Sequence, residues 1–193
     1  MISDGPSATN ISINSSSPSG WSRPSIPISG PTKLTSTEAG GLLAETLDIK
    51  HIADTIGPAS GLKMCFATTT KGFTALCIQA FTTAQQLGVL PELQAQMESR
   101  VPNMYAVAKK SVPSMCPKAY RWVKEMEEIG ETHEKDGGFE AGLFKGVAGV
   151  YKDVEESILG EEKTERRKRG RDINDVAEIL SESLKKRKVG TSD

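Results

Sequence analysis

Residues 57–88 read GPASGLKMCFATTTKGFTALCIQAFTTAQQLG, and this stretch decides the fold. Pro58 suits a first helical turn, where a missing N–H costs nothing. Gly88 supplies a stop, because glycine readily enters the left-handed conformation that ends helices. From Pro58 to Gln86 the spacing predicts one helix of roughly 40 Å at 1.5 Å per residue. Leu62, Phe66, Phe73, Leu76, Cys77, Ala80 and Ala84 recur at helical spacing, while Lys63, Ala67, Thr70 and Thr74 form a narrower stripe of small and polar groups. A long helix with both faces committed belongs at the centre of a bundle.

Lys63 stands out within it, followed by Met64, Cys65, Phe66 and Ala67. A lone ammonium among apolar groups loses hydration, which lowers a lysine pKa toward the range useful for proton transfer. The positive end of the helix dipole acts in the same direction. This is the pattern of a catalytic lysine. A lysine whose stem lies along a packed helix while its head reaches water gives the same string.

Outward from this helix the chain divides by composition. Residues 1–30 hold ten Ser, four Pro and three Gly, too little apolar surface to offset chain entropy, so this segment is expected to be irregular. Within it, Trp21 to Pro31 (WSRPSIPISGP) alternates Ile26 and Ile28 with small residues, as a short edge strand does before a Gly-Pro turn. Ser36 or Thr37 can cap a short helix to about Leu47, and no alternating strand pattern is read after residue 31. Pro91 opens a helix to about Arg100, Val101 to Lys110 forms another, and Pro117 starts a third with Trp122, Met126 and Ile129 on one face. Beyond the Asp136-Gly137-Gly138 break, Phe139, Leu143, Phe144, Val147, Val150, Tyr151, Val154 and Ile158 give an amphipathic helix. Gly142, Gly146 and Gly149 line another side of it. Interior glycines cost about 1 kcal/mol each against alanine, so three on one stripe predict a close helix neighbour, from this chain or a second subunit. The expected fold is all-α: a remnant over 1–34, a helical domain over 35–160, and a basic tail over 161–193.

Cys65, Cys77 and Cys116 lack CxxC spacing, and with only His51 and His133 no zinc ligand set can be assembled. Reduced, buried thiols in a cytoplasmic protein are expected. No apolar run is long and charge-free enough to span a bilayer, and no signal-peptide core is read at the start. The Asn-x-Ser sequons at Asn10 and Asn14 are expected to stay unmodified. From Lys163 to Asp193 ten basic and six acidic residues give a net +4 in a chain of net −1. Arg166-Arg167-Lys168-Arg169 and Lys185-Lys186-Arg187-Lys188 flank a short amphipathic helix that Asp172 can cap. Such clusters resemble a bipartite nuclear-import signal or an anion-contact arm. A solvated charged tail reads equally well. No aromatic residue is present there to stack on bases, so sequence-specific nucleic-acid binding is not expected.

The spacing Gly57-x-x-x-Gly61-x-Lys63 is similar to the GxGxxxK signature of β-hydroxyacid dehydrogenases, the group that includes 6-phosphogluconate and 3-hydroxyisobutyrate dehydrogenases. GLKMCFATTTKGFTALCIQAF (residues 61–81) and PKAYRWVKEMEEIGETHEKDGG (117–138) resemble the branch with a 6-phosphogluconate dehydrogenase-like, NAD-binding carboxyl-terminal domain. The resemblance spans about residues 20–165. It implies an all-helical domain that closes on a Rossmann domain holding NAD or NADP and that dimerises. It further implies Lys63 as general acid/base at the hydroxyl of a hydroxyacid substrate, Lys124 near the cofactor, and Gly61, Thr68 and Thr70 near the substrate. Against these roles stand plainer readings, a Lys124–Glu128 surface pair and threonines bonded to their own helix backbone.

Two departures qualify the resemblance. Ala67 stands where better-known members carry an asparagine that positions substrate and lysine. The strand, GxGxxG turn and helix that cradle a pyrophosphate are missing from the sequence. The expectation is therefore the carboxyl-terminal half of a dehydrogenase, a truncated product or a degenerate paralogue, that does not bind NAD(P) tightly by itself. The competing readings are a non-catalytic dimerising protein with a nuclear-targeting tail, and a small-molecule binder using a cleft beside Lys63.

Overall fold

A computed structural model describes residues 24–190. The Ser-rich start, with Trp21 and both sequons, lies outside the described residues. Packing divides the chain into two compact units at Gly61/Leu62, rather than at residues 34/35.

The first unit is a βαβ crossover. Strand β1 (Ile26–Ser29) pairs in parallel with β2 (Ile49–Ala53), and helix α1 (Glu38–Leu47) connects them. The register sets Ile26 against Ile49 and Ile28 against His51, then shifts by one residue so that Ser29 faces Ala53. Pro27 donates nothing to a ladder, which an edge strand tolerates. Thr37 caps α1, its side-chain oxygen accepting from the Gly40 N–H at 3.1 Å. β2 corrects the expectation of no strand beyond residue 31. Ile49, His51 and Ala53 are half-buried and alternate with exposed Lys50 and Ile52. The alternation is present, but Ile52 places an apolar group on the solvent side and hides it. Among the described residues of this unit none is buried, and Ile26, Leu42, Leu43, Leu47, Ile52 and Ile56 are exposed.

The second unit is the helical body. Helix α2 (Pro58–Leu87) ends as expected. Gly88 sits at φ +74°, and the Val89 N–H closes the turn on Ala84 O at 2.9 Å. Its buried face runs through Ala67, Gly72, Thr74, Ala75, Cys77, Ile78, Phe81, Thr82 and Ala84. Leu62, Phe66 and Leu76 are exposed. The helix thus packs through Ile78, Phe81 and a run of small residues, while Leu62, Phe66 and Leu76 face away from the core. Helices α3 (Leu90–Arg100), α4 (Pro102–Met115), α5 (Ala119–Lys135), α6 (Gly142–Glu155) and α7 (Ile158–Glu161) follow. Their core holds Val112, Met115, Met126, Ile129, Tyr151, Val154 and Leu159.

The tail is not a tail. Helix α8 (Ile173–Gly190) buries Ile173, Val176, Ala177, Ile179 and Leu180 in the same core. Asp172 caps it, its carboxylate accepting from the Asp175 N–H at 2.9 Å. Sequence inspection stresses the charges flanking this helix, and they mask a periodic apolar face. Gly170 makes the entry turn at φ +68°, where an added Cβ would lie 2.8 Å from Leu159 Cδ2 and 3.4 Å from Cys116 Sγ. Gly170→Ala therefore combines left-handed backbone strain with overpacking and is expected to cost about 2–4 kcal/mol, measurable by urea denaturation.

The glycine stripe of α6 has a different outcome. A Cβ at Gly142, Gly146 or Gly149 would meet nothing within 4 Å, so no helix of this chain packs closely there among the described residues. Of the cysteines, Cys77 and Cys116 are buried but Cys65 is exposed. Burial pushes the Cys77 thiol up to about 11 and that of Cys116 up to about 12, so both are protonated and inert at neutral pH. No helix among the described residues is long and apolar enough to cross a membrane.

Candidate functional site

Helix α2 carries Lys63, Thr68 and Thr70 in consecutive turns. Lys63 is exposed. The run Met64-Cys65-Phe66-Ala67 winds around the helix, so only Ala67 is buried and Phe66 remains 68% exposed. The apolar cage that the linear string predicts around the ammonium does not form among the described residues. Gly61 has open space where a Cβ would stand, so its lack of a side chain serves no close approach here. Thr70 donates to Phe66 O at 3.1 Å and Thr69 to the same carbonyl at 2.9 Å, the backbone-bonded arrangement common for helical threonines. Lys124 pairs with Glu127 at 3.7 Å on its own helix, not with Glu128.

Thr68 is different. Its hydroxyl donates to Met64 O at 2.9 Å, and it meets His133 Nε2 at 2.7 Å. A hydroxyl has one proton. With that proton on Met64 O, the ring nitrogen is the donor to Thr68. The imidazole stacks at a tilt on Phe144, centroids 5.3 Å apart, with Phe139 edge-on at 6.4 Å. His133 thus ties the end of α5 to the first half of α2.

One turn further, Lys71 forms an ion pair with Glu125 of α5, and its ammonium lies 4.8 Å from the centroid of the Trp122 ring. Tyr151 of α6 stands edge-on to Trp122, centroids 5.1 Å apart, and donates to Lys71 O at 2.5 Å. Burial pushes the Tyr151 phenol well above its usual range, so it remains a neutral donor. His133, Lys71 and Glu125 escape sequence reasoning because nothing local marks partners 54 to 65 residues apart. Together they fix the orientation of the helix that carries Lys63.

A cavity of about 280 Å³ opens farther along α2, not beside Lys63. Ile78, Val150 and Leu180 supply apolar wall, and Thr82, Asp153 and Arg187 supply polar lining. In the first unit, Asp54 accepts from His51 Nε2 at 3.0 Å and lies 3.7 Å from the Lys33 ammonium. The hydrogen bond from His51, then the charge of Lys33, hold its carboxyl below the usual range. No group of three or more residues able to hold a metal ion occurs among the described residues. Nor do they fit a dinucleotide: β1 leads into Gly30-Pro31-Thr32-Lys33, not into a glycine-rich turn opening a helix.

The comparisons bear on this geometry. Residues 84–154 match the family model described as Domain of unknown function (DUF1932), a segment that begins after Lys63. The fold resembles the crystal structure of a conserved hypothetical protein from Sinorhizobium meliloti 1021, with a TM-score of 0.67 and 22% identity over 84% of this chain. The chain spans about half of that solved relative, 52% of its length. No curated protein matches. The segment from the end of α2 through α6 (84–154) is thus similar to DUF1932, the carboxyl-terminal helical domain of NAD(P)-binding 6-phosphogluconate dehydrogenase-like proteins.

Proposed function

We propose that this chain supplies the helical half of an NAD(P)-dependent hydroxyacid dehydrogenase, complete only when a nucleotide-binding half joins it. The observation that carries this reading is the first unit. Two parallel strands joined through a helix, with no buried residue, have the form of a fragment of a larger parallel sheet. Parallel sheets are stable when both faces are covered. The chain continues from this fragment directly into the helix that bears Lys63. In this reading Lys63 gains its low-hydration surroundings from the added half and exchanges a proton with the substrate hydroxyl oxygen. Thr68, its proton on Met64 O, accepts hydrogen bonds rather than donating them. Two copies pair through the helical body, a role suited to the open glycine stripe of α6 and to Leu143 beside it, 68% exposed.

Fluorescence titration of the chain alone with NADPH should give no micromolar affinity, and such affinity would overturn the division of labour. Fused behind a Rossmann domain from a β-hydroxyacid dehydrogenase, the chain should turn over a hydroxyacid. Lys63→Met should then cut turnover by about 10²–10⁴-fold with the circular dichroism unchanged. A second reading, a non-catalytic dimerising scaffold, draws on the exposure of Lys63 and on Ala67. It predicts a dimer by light scattering and no turnover in the fusion.

A further inference from the structure

The two basic clusters are left unused by this reading, and the first is woven into the fold. Pro117 has no N–H, so the carbonyl of Pro113, four residues earlier in a helical run, lacks its usual donor. The Arg167 guanidinium donates to that carbonyl. Glu162 accepts from the backbone N–H groups of Lys168 and Arg169 at 2.7 and 3.2 Å. Asp175, in the first turn of α8, accepts from Arg169 at 2.8 and 2.6 Å and from the Gly170 N–H. Arg171 donates to Arg167 O at 2.6 and 3.1 Å. In the second cluster Arg187 pairs with Asp153 of α6 at 2.6 Å. Residues 162–172 therefore form a strap against α8 in which Arg167 and Arg169 are engaged, Arg169 by a carboxylate of α8 itself.

Helix α8 also sets the distance between the clusters. Its 18 residues span about 27 Å as a helix but about 60 Å as an extended chain. A partner with an acidic groove that reads basic side chains along an extended backbone cannot engage both clusters in the docked form. We propose that the strap is an autoinhibitory contact: 166–169 and 185–188 form a bipartite basic signal that is readable only when α8 is released. Asp175 ties Arg169 and Gly170 to α8, and Glu162 holds the turn that presents them; these two carboxylates keep it closed.

The test uses the full chain and a purified nuclear-import adaptor as the acidic-groove probe. The double variant E162Q/D175N leaves every basic residue in place. It should speed amide exchange over residues 173–187 and raise adaptor affinity at least tenfold above the wild type. Leu180→Asp, which places a charge in the core face of α8, should do the same by an independent route. A synthetic peptide of residues 161–190 sets the affinity of the open signal. Wild-type binding as tight as that of the peptide would overturn the proposal. So would release of α8 without a gain in affinity, or a peptide that fails to bind.

Discussion

Tyr151→Ala is expected to remove about 3–5 kcal/mol of stability, as truncation of a large buried aromatic does. Tyr151 is fully buried, so its ring cannot be replaced by solvent without opening the core. The loss has separable parts. Tyr151→Phe keeps the ring and its edge-on contact with Trp122, and removes only the hydroxyl that donates to Lys71 O. That change should cost about 0.5–1.5 kcal/mol, the net value of a typical hydrogen bond. The aromatic pair should account for a further 0.5–1.5 kcal/mol, roughly, beyond area burial, read from a double-mutant cycle with Trp122→Leu. Urea denaturation followed by circular dichroism measures all three. A loss below about 1.5 kcal/mol for Tyr151→Ala would mean that α6 is not anchored on α2 at this point.

The same contact shows what could be read from the sequence and what could not. The boundaries of α2 were legible because Pro58 and Gly88 act locally, each through its own backbone. The α1 cap at Thr37 and the α8 cap at Asp172 were legible for the same reason. Which side of α2 faces inward was not. Apolar residues lie on both sides, and the choice falls to the neighbours that dock against it. Phe66 looks like core in the string and stands in solvent, whereas Thr74 and Thr82 are buried. The basic clusters misled in the opposite way. Charge suggests a solvated tail, but Arg167 is drawn in by a carbonyl left free by a proline 50 residues earlier in the chain. At the candidate site, Lys63, Thr68 and Thr70 were visible as residue types on one helix. The role of His133 as the partner of Thr68 depends on how α3 and α4 bring α5 back to α2, and no local signal carries that.

Amide exchange on the intact chain should separate the two units by orders of magnitude. Protection reports the free energy of opening, which runs from near zero for poorly buried segments to the global value for core helices. The hydrogen bonds that flank the β1–β2 ladder are of ordinary length, 3.0 Å from Ile26 N to Asp48 O and 3.0 Å from Gly30 N to Ala53 O. What it lacks is cover. An isolated pair of strands is marginal in water, and three or more strands or a packed face are needed for independent stability. None of the described residues from 24 to 61 is buried. The amides of 26–29 and 49–53 should therefore show protection factors of no more than about 10². The amides of α4, α5 and α6 around Val112, Ile129 and Tyr151 should show at least about 10³-fold more, set by a global stability on the order of 5–15 kcal/mol. Fusion to a nucleotide-binding half should raise protection in the two strands alone, because added parallel strands and helices would cover Ile26, Leu42, Leu43 and Ile52. Equal protection in both units before fusion would mean that the βαβ crossover is stable without further strands, and the incomplete-sheet reading would fall with it.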